Sequence, residues 1–228
     1  MHLSLTAAHV PGGGAVTAFG YYMSPYSANL SWDEGLSDDD VIVYCVDFFH
    51  DAAVGQTWDA YVTSLDGSES LNRTFYGTTP QNPIGPYSNL QLYQQAAWLT
   101  TQFAPDPGAT TDTKKQAVAI QTAIWSLFTP MTGPGAPGRA GYLTPTYNTD
   151  YWVQRAHAHY ADDITVYGNF YVLSDVRGVD GVGAAQEFII YQTTPEPATL
   201  ALLGTGLVGL GGVVRRRRQS APGDPTSG

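Results

Sequence analysis

The only cysteine of the 228 residues, Cys45, lies in the run VIVYCVDFFHD. Strand alternation there puts Val41, Val43, Cys45 and Asp47 on one face and Ile42, Tyr44, Val46 and Phe48 on the other. A lone cysteine rules out an intrachain disulfide, and at its plainest it reads as a small buried apolar side chain. Gln121 poses a matching problem. It sits in IQTAIW on the apolar stripe of a helical pattern, flanked by Ile120, Ile124 and Trp125, where an unpaired amide costs roughly 1–3 kcal/mol. One bond removes both oddities. If the Cys45 sulfur attacks the Gln121 side-chain carbonyl and ammonia leaves, the thioester needs neither the amide's donors nor a thiolate.

Other reactive side chains carry weaker patterns. His157 and His159, followed by Asp162 and Asp163, are spaced i, i+2, which points them apart on a helix and favours solvated side chains over a metal pair. Asp38, Asp39 and Asp40 lack the alternating ligands and trailing Glu of a calcium loop and read as a solvated turn. Gly12, Gly13 and Gly14 precede no Lys-Ser/Thr, so they form no phosphate loop. No metal or cofactor is expected.

The elements that must position Cys45 and Gln121 alternate between two kinds. Strand signals rich in Val, Ile, Tyr, Phe and Thr occupy 15–22, 41–49, 57–64, 164–174 and 187–193. Between them, 89–103 spaces Leu92, Gln95, Ala96, Leu99 and Phe103 as a helix. Residues 113–128 do the same with Ala117, Ile120, Gln121, Ile124 and Phe128. A Pro/Gly-rich connector separates the two, with Asp112 or Thr113 as the expected N-cap, and 151–161 suggests a third short helix. The expected fold is α+β: a strand-rich sandwich or barrel-like body with a helical insert.

Three words along this body, YCVD at 44–47, YQQAAWL at 93–99 and IQTAIW at 120–125, resemble in order the signature blocks of bacterial thioester domains. These are surface modules with an internal Cys–Gln thioester. The resemblance spans residues 15–193. It implies that Cys45 supplies the sulfur, Gln121 the acyl group, and Gln94 a supporting hydrogen bond, with Gln95 as the alternative because helical spacing puts it on the stripe. The adhesin pattern favours Thr before the thioester Gln, where this chain has Ile120. The implied activity is single-turnover acyl transfer to an amine on a surface protein or polysaccharide, for adhesion or crosslinking, in a site shielded by aromatics such as Tyr44 and Trp125. No enzymatic turnover is expected.

The last thirty residues read differently. Pro195, Glu196 and Pro197 precede seventeen uncharged residues, 198–214, and then come Arg215, Arg216, Arg217 and Arg218. Seventeen residues is the lower limit for a helix crossing a bilayer core, and an arginine cluster stays on the cytoplasmic side. This order, over 194–218, resembles a PEP-CTERM sorting signal; a polar tail, 219–228, follows. The resemblance implies recognition by an exosortase, a transient inner-membrane intermediate, cleavage near Pro-Glu-Pro, and release to the cell surface or extracellular matrix of a Gram-negative bacterium. Residues 1–14 offer only a weak apolar patch and no early positive charge, which reads as a signal peptide absent or truncated.

Composition narrows the remaining readings. Residues 1–194 hold 18 acidic and 6 basic side chains, a balance of −12. That excludes nucleic acid as a partner and favours cationic amines. Two rivals stand beside the thioester. One is a cysteine-nucleophile enzyme, peptidase or transglutaminase-like, with His157 or His159 as base, although such cysteines usually sit at a helix N-terminus rather than in a strand pattern. The other is a non-covalent structural matrix protein with Cys45 merely buried.

Overall fold

Six antiparallel strands close into a barrel in the order β1-β4-β5-β8-β7-β6. They are β1 (His2–Ala7), β4 (Tyr26–Ser31), β5 (Ser37–Cys45), β6 (Thr57–Ser64), β7 (Phe170–Asp175) and β8 (Phe188–Tyr191). The two-residue strands β2 (Thr17–Ala18) and β3 (Tyr21–Tyr22) form a separate hairpin. The computed structural model describes residues 1–23, 25–33, 35–77, 86–129, 131, 145–179 and 184–192. All belong to the compact unit Met1–Gln192; the second unit, Thr193–Gly228, lies outside the described residues.

Alternation sorts the strand side chains into two cores. Leu3, Leu5, Ala28, Leu30, Val43, Cys45, Trp58, Ala60, Leu173, Phe188 and Ile190, drawn from all six strands, fill the barrel interior. Val46, Val172 and Ile189 point the other way, into a second core shared with the helices. Three helices build that outer layer: α1 (Asn89–Thr100), α2 (Thr111–Phe128) and α3 (Thr149–His159). A one-turn helix, α4 (Val176–Val179), follows β7. The α+β expectation holds, with a closed barrel as the sheet.

Local chemistry explains where the elements start and stop. Ser88 caps α1 in a reciprocal box with Gln91. Thr110 caps α2 in the same way with Thr113, so the helix begins before the expected Asp112 or Thr113; its first turn is polar and carries no apolar periodicity. From Ala117 to Phe128 every α2 residue is buried, which makes it a core helix rather than an amphipathic one. Residues Ile164–Asn169, expected as strand, form a 3₁₀ turn capped by Asp163, and the strand starts only at Phe170. The Asp38–Asp40 run is also strand rather than turn. Asp40 adopts φ 57° beside a register shift against β4, and Asp38 accepts hydrogen bonds from Trp32 Nε1 (2.8 Å) and Gln192 Nε2 (3.1 Å). At the tip of the β2–β3 hairpin Phe19 and Gly20 both have positive φ, 54° and 86°, the conformation a two-residue type I′ loop requires.

Candidate functional site

Cys45 is the last residue of β5 and is 1% exposed. Its thiol donates to the Asp47 carbonyl at 3.0 Å and its sulfur accepts the Trp125 indole N–H at 3.4 Å. One helical turn before Trp125 on α2, the Gln121 amide donates from Nε2 to the Cys45 carbonyl at 2.8 Å. Gln121 is also 1% exposed, and its Oε1 is buried without a hydrogen-bond partner. The strand end and the helix face therefore bring together the two residues singled out in the sequence, 76 positions apart. Burial pushes the Cys45 thiol far above its ordinary range, with only a partial offset from Trp125. A thiol held neutral in this way is a poor free nucleophile toward solvent reagents.

Aromatic rings pack around the Trp125 indole that bonds the sulfur. Phe48 lies 5.2 Å from Trp125, and Tyr21 of the β2–β3 hairpin lies 5.2 Å from Phe48 and 6.0 Å from Trp125, measured between ring centroids. Tyr44, also expected as part of the shield, faces away from Cys45 on the strand and packs on Phe103 at 5.5 Å. Trp125, Phe48 and Tyr21 form the aromatic cluster on this side of Cys45.

The glutamines of α1 take separate places. Gln94 donates from Nε2 to the Leu65 carbonyl at 2.9 Å, tying α1 to the end of β6. Gln95 is fully buried, and neither atom of its amide finds a partner. The α3 histidines engage neighbours other than Cys45: His159 pairs with Asp162 at 2.8 Å and stacks on Trp98, while His157 packs on Tyr87.

Beside Cys45 lies a buried acidic network that the sequence reading missed. Both carboxylates, Asp47 and Glu187, are 0% exposed. Asp47 accepts from the Phe49 amide (2.9 Å), the Tyr76 hydroxyl (2.7 Å) and, in a very short contact, His50 Nδ1. Its carbonyl also accepts from Gln186 Nε2 at 3.3 Å. Glu187, whose carbonyl receives the Val46 amide, accepts from the Phe75 amide, the Tyr93 hydroxyl and the Ser174 hydroxyl. Burial pushes the Glu187 carboxyl up to about 8, against the pull of those donors. Hydrogen bonding to Asp47 raises His50. The available signal was an acid set inside an apolar run, VDFF and EFII, with histidine three residues after the first.

Residues 193–218 match the family model of the PEP-CTERM protein-sorting motif. The chain carries an exosortase signal. Pro195, Glu196, Pro197 and the four arginines, Arg215 to Arg218, all lie inside the match, which marks the protein for export through the membrane to the cell surface with exosortase as its processing partner. The expected span 198–214 lies outside the described residues, and among the described residues no helix is long and apolar enough to cross a membrane. Comparison with curated proteins and with solved structures gave no significant match.

Proposed function

We propose that this exported protein carries an internal thioester between Cys45 and Gln121 and uses it once, to attach covalently to an amine on a surface protein or polysaccharide. The reading rests on one observation: the Gln121 amide is hydrogen-bonded to Cys45 itself at 2.8 Å while its oxygen is buried unpaired. In forming the bond, sulfur joins the Gln121 side-chain carbon, the C–N bond breaks, and the thiol proton leaves with ammonia. A target amine then attacks the same carbon, the C–S bond breaks, and an amide links the two molecules. The acidic body draws cationic amines toward the site. The aromatic cluster beside the sulfur slows the competing attack by water. Adhesion or crosslinking at the surface or matrix of a Gram-negative cell is the role this chemistry suits.

The peptidase reading is weaker. The thiol points at a main-chain carbonyl rather than at an imidazole, and burial keeps it protonated, the reverse of an activated cysteine.

Intact mass of the body decides among these readings. The thioester predicts a chain one ammonia lighter than its sequence and silent to thiol reagents while folded. Methylamine should restore the thiol and leave a methylamide on Gln121. Full sequence mass with no methylamine adduct would leave only a buried cysteine, and full mass with a reactive thiol would favour the enzyme.

A further inference from the structure

A groove lies where the C-terminal ends of α1 and α3 meet β7 and β8, and neither Cys45 nor Gln121 lines it. Trp98 of α1, His159 and Tyr160 at the end of α3, and Tyr191 of β8 form its walls together with the buried Tyr167 and Phe170. Its volume is about 350 Å³, inside the range of small-ligand sites, about 300–1,000 Å³. Tyr191 packs on Phe170, ring centroids 4.9 Å apart, yet stays 49% exposed. Two carboxylates complete the lining, Asp162 and Asp163. Asp162 Oδ2 accepts from His159 Nδ1 at 2.8 Å, and Asp163 Oδ1 accepts from the Thr165 amide at 3.0 Å and the Thr165 hydroxyl at 2.6 Å. Asp162 Oδ1 and Asp163 Oδ2 have no hydrogen bond among the described residues. Among those residues no lysine or arginine lines the groove; Arg155 approaches Trp98, 5.9 Å from the ring centroid, without joining the lining.

Rings and unpaired carboxylate oxygens around one concavity suit a ligand that is apolar on one face and positively charged at an edge. A protonated amino sugar has both. The C–H face of its pyranose ring packs on aromatic side chains. Its ammonium group makes charge-assisted hydrogen bonds to carboxylates and is drawn to the ring faces as well. Acidic sugars and phosphates are repelled by the same two acids. A lysine side chain would use the charge but leave the ring surface uncovered. We propose that this groove binds an amino-sugar residue of a surface or matrix polysaccharide, reversibly and through its protonated amine. The site is separate from Cys45 and Gln121 and does not rest on the thioester. Held there, the polysaccharide stays on the protein whether or not a covalent bond follows.

The test is calorimetric titration of the full chain with a glucosamine oligomer, its N-acetylated counterpart of the same length, and a lysine oligomer of the same charge. The glucosamine oligomer is expected to bind, and the acetylated one to bind about 10-fold more weakly, because acetylation removes the charge and keeps the ring. Release on dilution marks the binding as non-covalent, so its outcome is independent of the thioester's. Asp162→Asn combined with Asp163→Asn keeps the acceptor that caps the 3₁₀ turn and should bring the two sugars to the same weak affinity. Tyr191→Ser, at a half-exposed position, should weaken both sugars with little change in melting temperature and leave the lysine oligomer unaffected. Failure of the wild type to bind either sugar would overturn the site, and so would binding that survives both sets of substitutions. Equal wild-type affinity for the two sugars would overturn the ammonium contact. A lysine oligomer bound as tightly as the glucosamine oligomer would assign the binding to the acidic body as a whole and overturn the sugar assignment.

Discussion

Gln121 donates its side-chain N–H to the main-chain carbonyl of Cys45, not to the sulfur, and its own oxygen points into a buried place with no donor. The amide is thus anchored at one end and unsatisfied at the other. Gln95, one helix away, is unsatisfied at both ends. The two glutamines are chemically identical, equally buried, and differ only in what they touch.

That difference separates their substitutions. Gln95→Leu removes two unpaired polar atoms from an apolar core, so we expect stability unchanged or raised by about 1–3 kcal/mol. Gln121→Leu breaks the link to β5 and forbids any thioester, so we expect a lower melting temperature and full sequence mass. Thermal unfolding of both variants alongside the wild type checks the pair. A larger loss at Gln95 than at Gln121 would contradict the assignment of Gln121 as the special position.

The hairpin beside this site makes a kinetic claim. Tyr21 packs on Phe48 and Trp125, and it belongs to a two-stranded piece separate from the barrel. Tyr21→Ala should leave the barrel intact and let water in, so the thioester is expected to hydrolyse faster, with little change in melting temperature. Intact mass followed over time reads this as growth of a species one water heavier. Unchanged hydrolysis would show that Trp125 and Phe48 suffice as cover.

Some of this was legible beforehand, for physical reasons. The helices α1 and α2 announced themselves because their apolar residues recur at helical spacing, and β6 (Thr57–Ser64) because it alternates between turn signals. Strands β1 and β4 did not: HLSLTA sat in the N-terminal segment read as a signal peptide absent or truncated, and YSANLS carries no β-branched residue. Composition misled at Ile164–Asn169, where the Asp163 side chain bonds Thr165 and caps a 3₁₀ turn instead. Cys45 and Gln121 stood out because each breaks an apolar pattern. The Asp47–Glu187 network stayed hidden because its donors come from distant places: Phe75 and Tyr76, Tyr93 on α1, and Ser174 on β7.

The sorting signal predicts where the mature chain ends. If the arginines hold one side of the expected span in the cytoplasm and cleavage falls near Pro195–Pro197, surface material should lack residues 198–228. Replacing Pro195, Glu196 and Pro197 with alanine should leave the chain uncut in the membrane fraction. Terminal mass spectrometry of both fractions checks this. Arg215 to Arg218 recovered on surface-released protein would count against processing at this place.

Stability should depend on pH through Glu187. Its carboxyl is held protonated up to about 8 by burial, whereas in the unfolded chain it ionises in the usual carboxylate range. Between those limits the folded state binds one more proton than the unfolded state, so unfolding releases a proton and stability falls as pH rises. Below about pH 4 and above about pH 8 the contribution is flat. Glu187→Gln keeps the shape and a hydrogen-bonding group opposite Tyr93 and Ser174 but cannot ionise. The stability of the wild type relative to Glu187→Gln is therefore expected to decline steadily from pH 5 to pH 8. His50, raised by Asp47, has the same sign but begins to act only above its ordinary range, and it is present with Asp47 in both chains, so the main part of its contribution cancels in the difference. Urea unfolding at pH 5, 6, 7 and 8 measures it. A difference that stayed constant, or grew in favour of the wild type with rising pH, would mean that Glu187 is ionised in the fold and that the hydroxyl and amide donors around it outweigh burial.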